Sequence, residues 1–535
     1  MGKKEKNGII PDSLEEMKSS RRSFLKASAV GAGVFAATAA GISGLTGCGG
    51  ADYSADTSIP DKWDAEFDVV VIGSGFAGLS AAIEAKRAGA SVVVLEKMST
   101  YGGNSVINGG YLAVPNSDLQ KKEGIKDSVD LFVKDLLAAG RGLNHEKLIR
   151  TIAKEAKAAY DFTVDCGAEY KPKLSHLGGH SVARSYYTKI GSGAGIVKPL
   201  QKTAEKEGVK LMKKTKMEGL ITAKDGRVVG VVTRTGYTFG NEGSGKIRKF
   251  KANKGVILGS GGFSQDERFR SAQDPRLGGT IDSTNQKGAT AEALSYALNA
   301  GATPIHVSRI QLGPWACPDE KGFGYGSPFN IDAGFPYGIM VEKNTGKRFV
   351  NELADRKTRA DAMLAHTDKK GNPVYPIIVT DSNGASHASK LDKALETGVV
   401  KKFDSLKALA SNYGVPLNGL QKSIDAYNAA VAKGMKNDPD FGKPIPDDQK
   451  KIEKAPFYAL RGWPKVHHTM GGVQINTNAE VLKMNSDDII KGLFAAGEAV
   501  GGPHGASRLG SCAITDCLVF GRIAGKSAAK NDSWG

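Results

Sequence analysis

The chain has 535 residues, 40% apolar and 24% charged, with a mean hydropathy of −0.28. That length is enough for about two or three domains, and the composition excludes both a disordered chain and a polytopic membrane protein. A net charge of +17 leaves nucleic acid, an anionic membrane surface, or an acidic partner or substrate as candidates, while five cysteines exclude a disulfide scaffold.

Residues 1–47 stand apart from the fold. Ser20-Arg21-Arg22-Ser23-Phe24-Leu25-Lys26 opens a weakly apolar run, 27–45, too short for a comfortable membrane span. Twin arginines before such a run resemble a Tat export signal, a route that carries folded, cofactor-loaded proteins. Leu45-Thr46-Gly47-Cys48 resembles a lipobox, which makes Cys48 the expected lipidation site. Residues 48–60, rich in Gly, Ser, Ala and Asp, read as a tether. Together these predict a periplasmic or other extracytoplasmic protein anchored to the membrane by lipid.

Phe67-Asp68-Val69-Val70-Val71-Ile72 reads as a buried parallel strand, and Gly73-Ser74-Gly75-Phe76-Ala77-Gly78 follows at once. The Ala-rich stretch 79–88 predicts a helix, broken by Gly89, and 91–95 predicts a second strand ending at Glu96. Strand, glycine turn, helix, strand and terminal acid together form a dinucleotide fingerprint. Gly73 permits the tight turn, Gly75 lets backbone N–H groups reach a pyrophosphate, and Gly78 lets helix pack on strand. Glu96 suits a ribose without a 2′-phosphate. Further glycine turns at Gly102-Gly103-Asn104-Ser105 and Gly109-Gly110 suggest a long cofactor. So do strands ending in glycine near Gly261-Gly262 and before Gly497-Glu498. One cofactor touched by segments this far apart points to FAD, held non-covalently in an α/β, Rossmann-like domain interrupted by an inserted domain.

On these motifs the chain resembles the fumarate reductase/succinate dehydrogenase flavoprotein family, and most of all the periplasmic flavocytochrome c fumarate reductases and urocanate reductases. The matching stretches include Ser283-Thr284-Asn285, Arg348-Phe349-Val350-Asn351-Glu352 with Arg356, His467-His468-Thr469-Met470-Gly471-Gly472 and His504-Gly505-Ala506-Ser507-Arg508-Leu509-Gly510. The resemblance implies an FAD-binding domain in two pieces, 61–305 and 468–535, with an α+β capping domain at 306–467. It places Phe76, Ala77, Lys97, His468, Glu498, Ser511 and Ile514 among the flavin contacts. It makes Arg508 and His467 the cations that hold a substrate carboxylate, and Arg356 the proton donor for reduction of a C=C bond by hydride from the flavin.

The sequence departs from the family where a second carboxylate would bind. Gly313 stands in place of a histidine in Ile310-Gln311-Leu312-Gly313-Pro314-Trp315, and Asn330-Ile331-Asp332-Ala333-Gly334 replaces a Thr-Glu-Ala-Val-Arg relay. An unpaired second carboxylate would be costly there. The expected substrate is therefore a monocarboxylate enoate such as urocanate, cinnamate or methacrylate. Gly313 opens space, Trp315 offers a stacking face, and Asn330 and Asp332 serve the far end. Thr290-Ala291-Glu292, where the family has Thr-Gly-Asp, predicts altered flavin contacts.

No Cys-x-x-Cys-His occurs, so electrons are expected from a separate cytochrome c or quinol dehydrogenase in anaerobic respiration. Cys512 and Cys517 read as structural, and no metal ligands or nucleic-acid motif is apparent. Fumarate reduction proper, a flavin dehydrogenase of the 3-ketosteroid type, and a non-catalytic electron carrier are the competing readings.

Overall fold

The computed structural model describes residues 55–279, 281–484 and 486–535. The export signal, Cys48 and residues 48–54 of the expected tether lie outside the described residues. β1 (Ala65–Ile72) ends in four consecutive β-branched residues buried on both faces, as a central parallel strand requires. α1 (Phe76–Arg87) begins after three intervening residues, and β2 (Val92–Leu95) returns parallel to β1 with Val69 opposite Val92. β3 (Lys246–Leu258) lies parallel on the other side of β1. The later elements that build the site are β4 (Ile310–Gly313), α2 (Arg356–Leu364), β5 (Lys465–Thr469), β6 (Ile489–Ala495) and α3 (Cys512–Lys530).

The main sheet runs Glu480–Leu482, β6, β3, β1, β2, Lys210–Met212, with a hairpin (Thr215–Thr222, Val228–Thr235) attached antiparallel to β3. Its strands come from both ends of the chain, so a large segment is inserted between β3 and β6. α3 packs closely against α1. A Cβ on Gly521 or Gly525 would run into the carbonyl oxygens of Ala77 and Ala81. The C-terminal helix is thereby held tightly against the helix that starts at the glycine turn.

The inserted segment carries its own antiparallel sheet, in the order Ile339–Val341, Ile377–Thr380, Phe457–Arg461, Lys401–Phe403. Its side chains alternate cleanly. Met340, Ile378, Tyr458 and Leu460 face a core containing Trp315, Phe329 and Phe335, while Ile339, Ile377, Val379 and Ala459 face the helices at 406–432. Arg348 is buried between Glu352 (2.7 Å) and Asp438 (2.9 Å), which fixes the chain just before α2.

Residues 55–60, expected as part of a tether, are fastened to β3. Lys249 Nζ donates to Asp56 Oδ2 (2.8 Å) and to the Ser58 carbonyl (2.9 Å). Among the described residues no helix is long and apolar enough to cross a membrane.

Candidate active site

A cleft opens at the carboxyl ends of β1 and β2. Gly73 has φ +95°, and a Cβ on Gly78 would strike the Gly73 carbonyl oxygen, so the turn tolerates only glycine at both places. Gly75 caps α1 with no side-chain hydrogen bond, which leaves the positive end of the helix open to an anion. Ser105 Oγ accepts from Phe76 N at 3.0 Å. Glu96 accepts from Ser74 N (3.2 Å), Ser74 Oγ (2.5 Å) and Met98 N (2.9 Å), so its carboxylate is fixed at the tip of β2. A helix start whose N-cap residue is glycine, a glycine cradle and a fixed acid fit a dinucleotide, and the cleft continues to Glu498 and Cys517. FAD is the cofactor.

Gly73, Gly75, Phe76, Ala77, Glu96, Lys97, Gly103, Asn104, Ser105, Gly261 and Glu498 line this cleft, and Gly262 lines an adjoining hollow. Sequence reasoning missed Thr215, Met217 and Cys517. Thr215 and Met217 reach the wall only because the hairpin folds over the cleft. Cys517 is half-buried and desolvation pushes its thiol well up, so it is a wall and not a nucleophile. Glu292, flagged as a departure, pairs with Lys97 (3.1 Å) and Lys216 (3.6 Å) at one side of the cleft.

Gly78, Gly109, Gly110, His468, Ser511 and Ile514, expected as contacts, do not line the cleft. Gly110 turns its φ of +71° against Ser192 and Thr188, with Gly109 beside it. Ser511, at φ +62°, directs its hydroxyl to Ser185 Oγ (2.8 Å) and the Gly510 carbonyl (2.5 Å). Ile514 is packed in the main core.

A second group of residues converges where β4 and β5 pair. Gln311 lies opposite His468 and Leu312 opposite Val466, and the irregularity between them leaves His467 out of register. Asp355 caps α2 through Lys357 N (2.9 Å) and Thr358 N (3.2 Å), which places Arg356 at the first position of the helix. Arg356 Nη1 donates to Gln311 Oε1 at 2.9 Å. The amide nitrogen of Gln311 then donates to Ser507 Oγ (2.9 Å) and the Arg508 carbonyl (3.2 Å). One buried glutamine thus joins the inserted segment to the loop carrying Arg508. Sequence reasoning gave it no role.

Arg356 and Arg508 make no ion pair among the described residues, and Arg508 Nε is buried without a partner. Burial, then Arg508, then Arg359 hold Arg356 well below the ordinary guanidinium range. Burial likewise lowers Arg508. His467, expected as a cation, is instead a neutral ring: burial, Arg356 and Arg508 push it well below its ordinary value. Its Nδ1 sits 2.8 Å from Thr284 Oγ1, so Nε2 is the nitrogen left for a ligand. Below this group, His468 is neutral for the same reasons, with Nδ1 3.4 Å from Glu498 Oε1. Glu498 accepts from Thr469 N (2.9 Å), and its burial raises it.

The Arg508 loop is held from behind. Arg184, fully buried between Asp127 (2.9 Å) and Asp135 (2.5 Å), also meets His180 Nδ1 at 3.0 Å. His180 Nδ1 is therefore the acceptor, and Nε2–H donates to the Gly510 carbonyl at 2.8 Å.

The far end of the site differs from expectation. Gly313 opens no space: a Cβ there would meet the Trp315 indole at 3.1 Å. Trp315 itself does border the site, with its ring 5.1 Å from His467 and 4.7 Å from the Arg356 guanidinium carbon. Asn330 is buried and structural, donating to the Trp315 carbonyl at 2.8 Å. Asp332 accepts from Ser389 Oγ (2.6 Å) and Ser389 N (3.2 Å) and makes no contact with Arg356, His467 or Arg508.

A family model described as FAD binding domain matches residues 68–514. The chain is 48% identical over 508 residues to the acrylate reductase flavoprotein subunit of Shewanella woodyi, covering 95% of this chain and 97% of that protein. It is 34% identical to the urocanate reductase of Eggerthella lenta, covering 88% of this chain and 76% of that protein. Among solved structures, the open conformation of a flavocytochrome c3 fumarate reductase matches with a TM-score of 0.74 at 31% identity, covering 88% of this chain and 79% of that one.

Proposed function

Because the chain belongs to the FAD-binding domain family that includes these enzymes, and is a flavoprotein reductase of unsaturated carboxylates, we propose that its substrate is a small enoate with a single carboxylate, of the acrylate class. The observation that carries this reading is the convergence of Arg356, His467 and Arg508 beside the Trp315 ring, with no ion-pair partner for either arginine among the described residues. Urocanate is disfavoured, because Asp332, the acceptor expected for its ring, is engaged by Ser389 away from these residues.

Arg508 presents a planar fork to the carboxylate, and neutral His467 donates from Nε2. Both stabilise the negative charge that builds on the carboxylate end as the alkene is reduced. When bound, FAD supplies the hydride. Arg356 delivers the proton to the other alkene carbon, so that C=C, one hydride and one proton give CH–CH. A guanidinium is a weak acid in water. Burial and the adjacent Arg508 and Arg359 strengthen it as an acid here, while Gln311 holds it without neutralising it.

Export and lipidation are part of the proposal, supported by Arg21-Arg22 and Cys48, as is a separate electron donor. Reduced methyl viologen oxidised in the presence of acrylate, methacrylate, fumarate or urocanate tests the reading. The expected result is highest kcat/KM with acrylate or methacrylate. Preferential turnover of fumarate or urocanate overturns it.

A further inference from the structure

We propose that Trp315 sets the length of the substrate by forming a fixed end wall; this rests on the small-enoate reading above. The indole occupies the direction in which any side chain at position 313 would point, with Cε2 and Cζ2 at 3.1 Å and Nε1 at 3.4 Å from that Cβ position. It meets His467 in a T-shaped contact (5.1 Å, 81°), and its face lies under Arg356 at 4.7 Å. The wall is therefore continuous with both the carboxylate-binding end and the proton donor.

The indole has no room to swing aside. Trp315 is 6% exposed and packs in the inserted segment's core with Phe329, Phe335 and Tyr458. Asn330 pins its backbone through the 2.8 Å bond to the Trp315 carbonyl. Close-packed interiors resist even a one-methylene change, so such a wall discriminates by size. A second carboxylate pressed against the ring would be stripped of its water. An aryl tail would collide with the ring. A vinyl group or its methyl homologue fits. Trp315 Nε1 is the polar atom of this wall, buried without an acceptor.

The test uses FAD-loaded enzyme and four variants: Trp315→Ala, Trp315→Leu, Trp315→Phe and, as a wall-thickening control, Gly313→Ala. Two quantities are measured for each. One is kcat/KM for acrylate, 2-pentenoate and cinnamate with reduced viologen. The other is the calorimetric affinity for the saturated acids propionate and valerate, which needs no turnover. The expected result is that Trp315→Ala and Trp315→Leu raise the 2-pentenoate-to-acrylate ratio about tenfold or more, by the worth of a methylene in a tight pocket. The valerate-to-propionate affinity ratio rises with it. Trp315→Phe keeps the wild-type ratios, and Gly313→Ala lowers turnover of methacrylate more than of acrylate.

Ratios within threefold of wild type in both Trp315→Ala and Trp315→Leu overturn the assignment of the wall while leaving the small-enoate reading intact. A Trp315→Phe variant that behaves like Trp315→Ala also overturns it, because the indole N–H would then be the determinant. Wild-type enzyme that prefers fumarate or urocanate overturns the underlying reading itself.

Discussion

Gln311→Leu separates Arg356 from the Arg508 loop with little change in volume. In the wild-type structure one amide makes three bonds, to Arg356 (2.9 Å), Ser507 (2.9 Å) and the Arg508 carbonyl (3.2 Å). A hydrogen bond to a charged group contributes about 1.5–3 kcal/mol, which at ~1.4 kcal/mol per decade is roughly ten- to hundredfold in rate. The loss should fall on kcat, because Arg356 acts only as the proton moves, whereas Arg508 Nη1 still donates to the Leu509 carbonyl (3.1 Å) and His180 still supports the loop from behind. Gln311→Glu makes a sharper probe. A carboxylate would hold Arg356 in place but raise its proton affinity, so geometry and acidity are set against each other. Rapid-mixing reoxidation of the reduced enzyme by acrylate, in H2O and D2O, measures both. Slower reoxidation and a larger solvent isotope effect are expected in each variant. A Gln311→Leu enzyme within threefold of wild type, with an unchanged isotope effect, refutes it.

Arg356→Gln should lower kcat by about a thousandfold, the range of a lost general acid, with KM changed less than tenfold by steady-state assay. Arg508→Lys replaces a fork with a point charge and should raise KM for acrylate roughly ten- to hundredfold, from loss of about 1.5–3 kcal/mol. Gly78→Ala drives a Cβ into the Gly73 carbonyl and should yield protein purified without flavin, read from its visible absorbance. His180 is held to about 4 against its ordinary value of 6.5, by burial and by the charge of Arg184. The unfolded chain therefore takes up its proton first, and stability falls as pH drops from 6.5 toward 4, by up to ~3 kcal/mol from this residue. His180→Gln should flatten that part of the Tm-against-pH curve while leaving Tm at pH 8 higher than at pH 5.

What could be read from the chain and what could not divides along a physical line. The glycine turn was legible because its parts are neighbours. Val69–Ile72, Gly73, Gly75, Gly78 and Glu96 lie within one strand–helix–strand unit, and each glycine answers a local steric demand. The three active-site residues come from segments far apart, and only resemblance to a family suggested that they meet. Gln311 carried a signal that went unused: a lone amide in the buried strand Ile310–Gly313 must find partners, and it finds them on both sides of the site. Asp332 was misplaced because the direction of a short helical turn decides which way its carboxylate points, and here that is toward Ser389. The charge on His467 was also misread. Composition gives a histidine its ordinary value, whereas its state here follows from burial beside two guanidiniums.

The same surroundings explain why the partner of Arg356 is an amide. An acid partner would orient the guanidinium equally well, but it would also stabilise its proton and weaken it as a donor. The groups around Arg356 are neutral or positive: Gln311 at 2.9 Å, the Trp315 face at 4.7 Å, and Arg359 and Arg508 near enough to repel it. Asp355, next to it in sequence, is turned to the backbone N–H groups of α2 and to Arg141 at 3.7 Å. Repulsion that would be a defect in a structural ion cluster, such as Arg348–Glu352–Asp438, here makes the proton easier to give up. On the proposed function the counter-charge is the substrate's own carboxylate, held by Arg508 and His467, which leaves Arg356 without one. If the substrate carries one carboxylate, as proposed, the wall at Trp315 and the amide at Gln311 answer the same requirement.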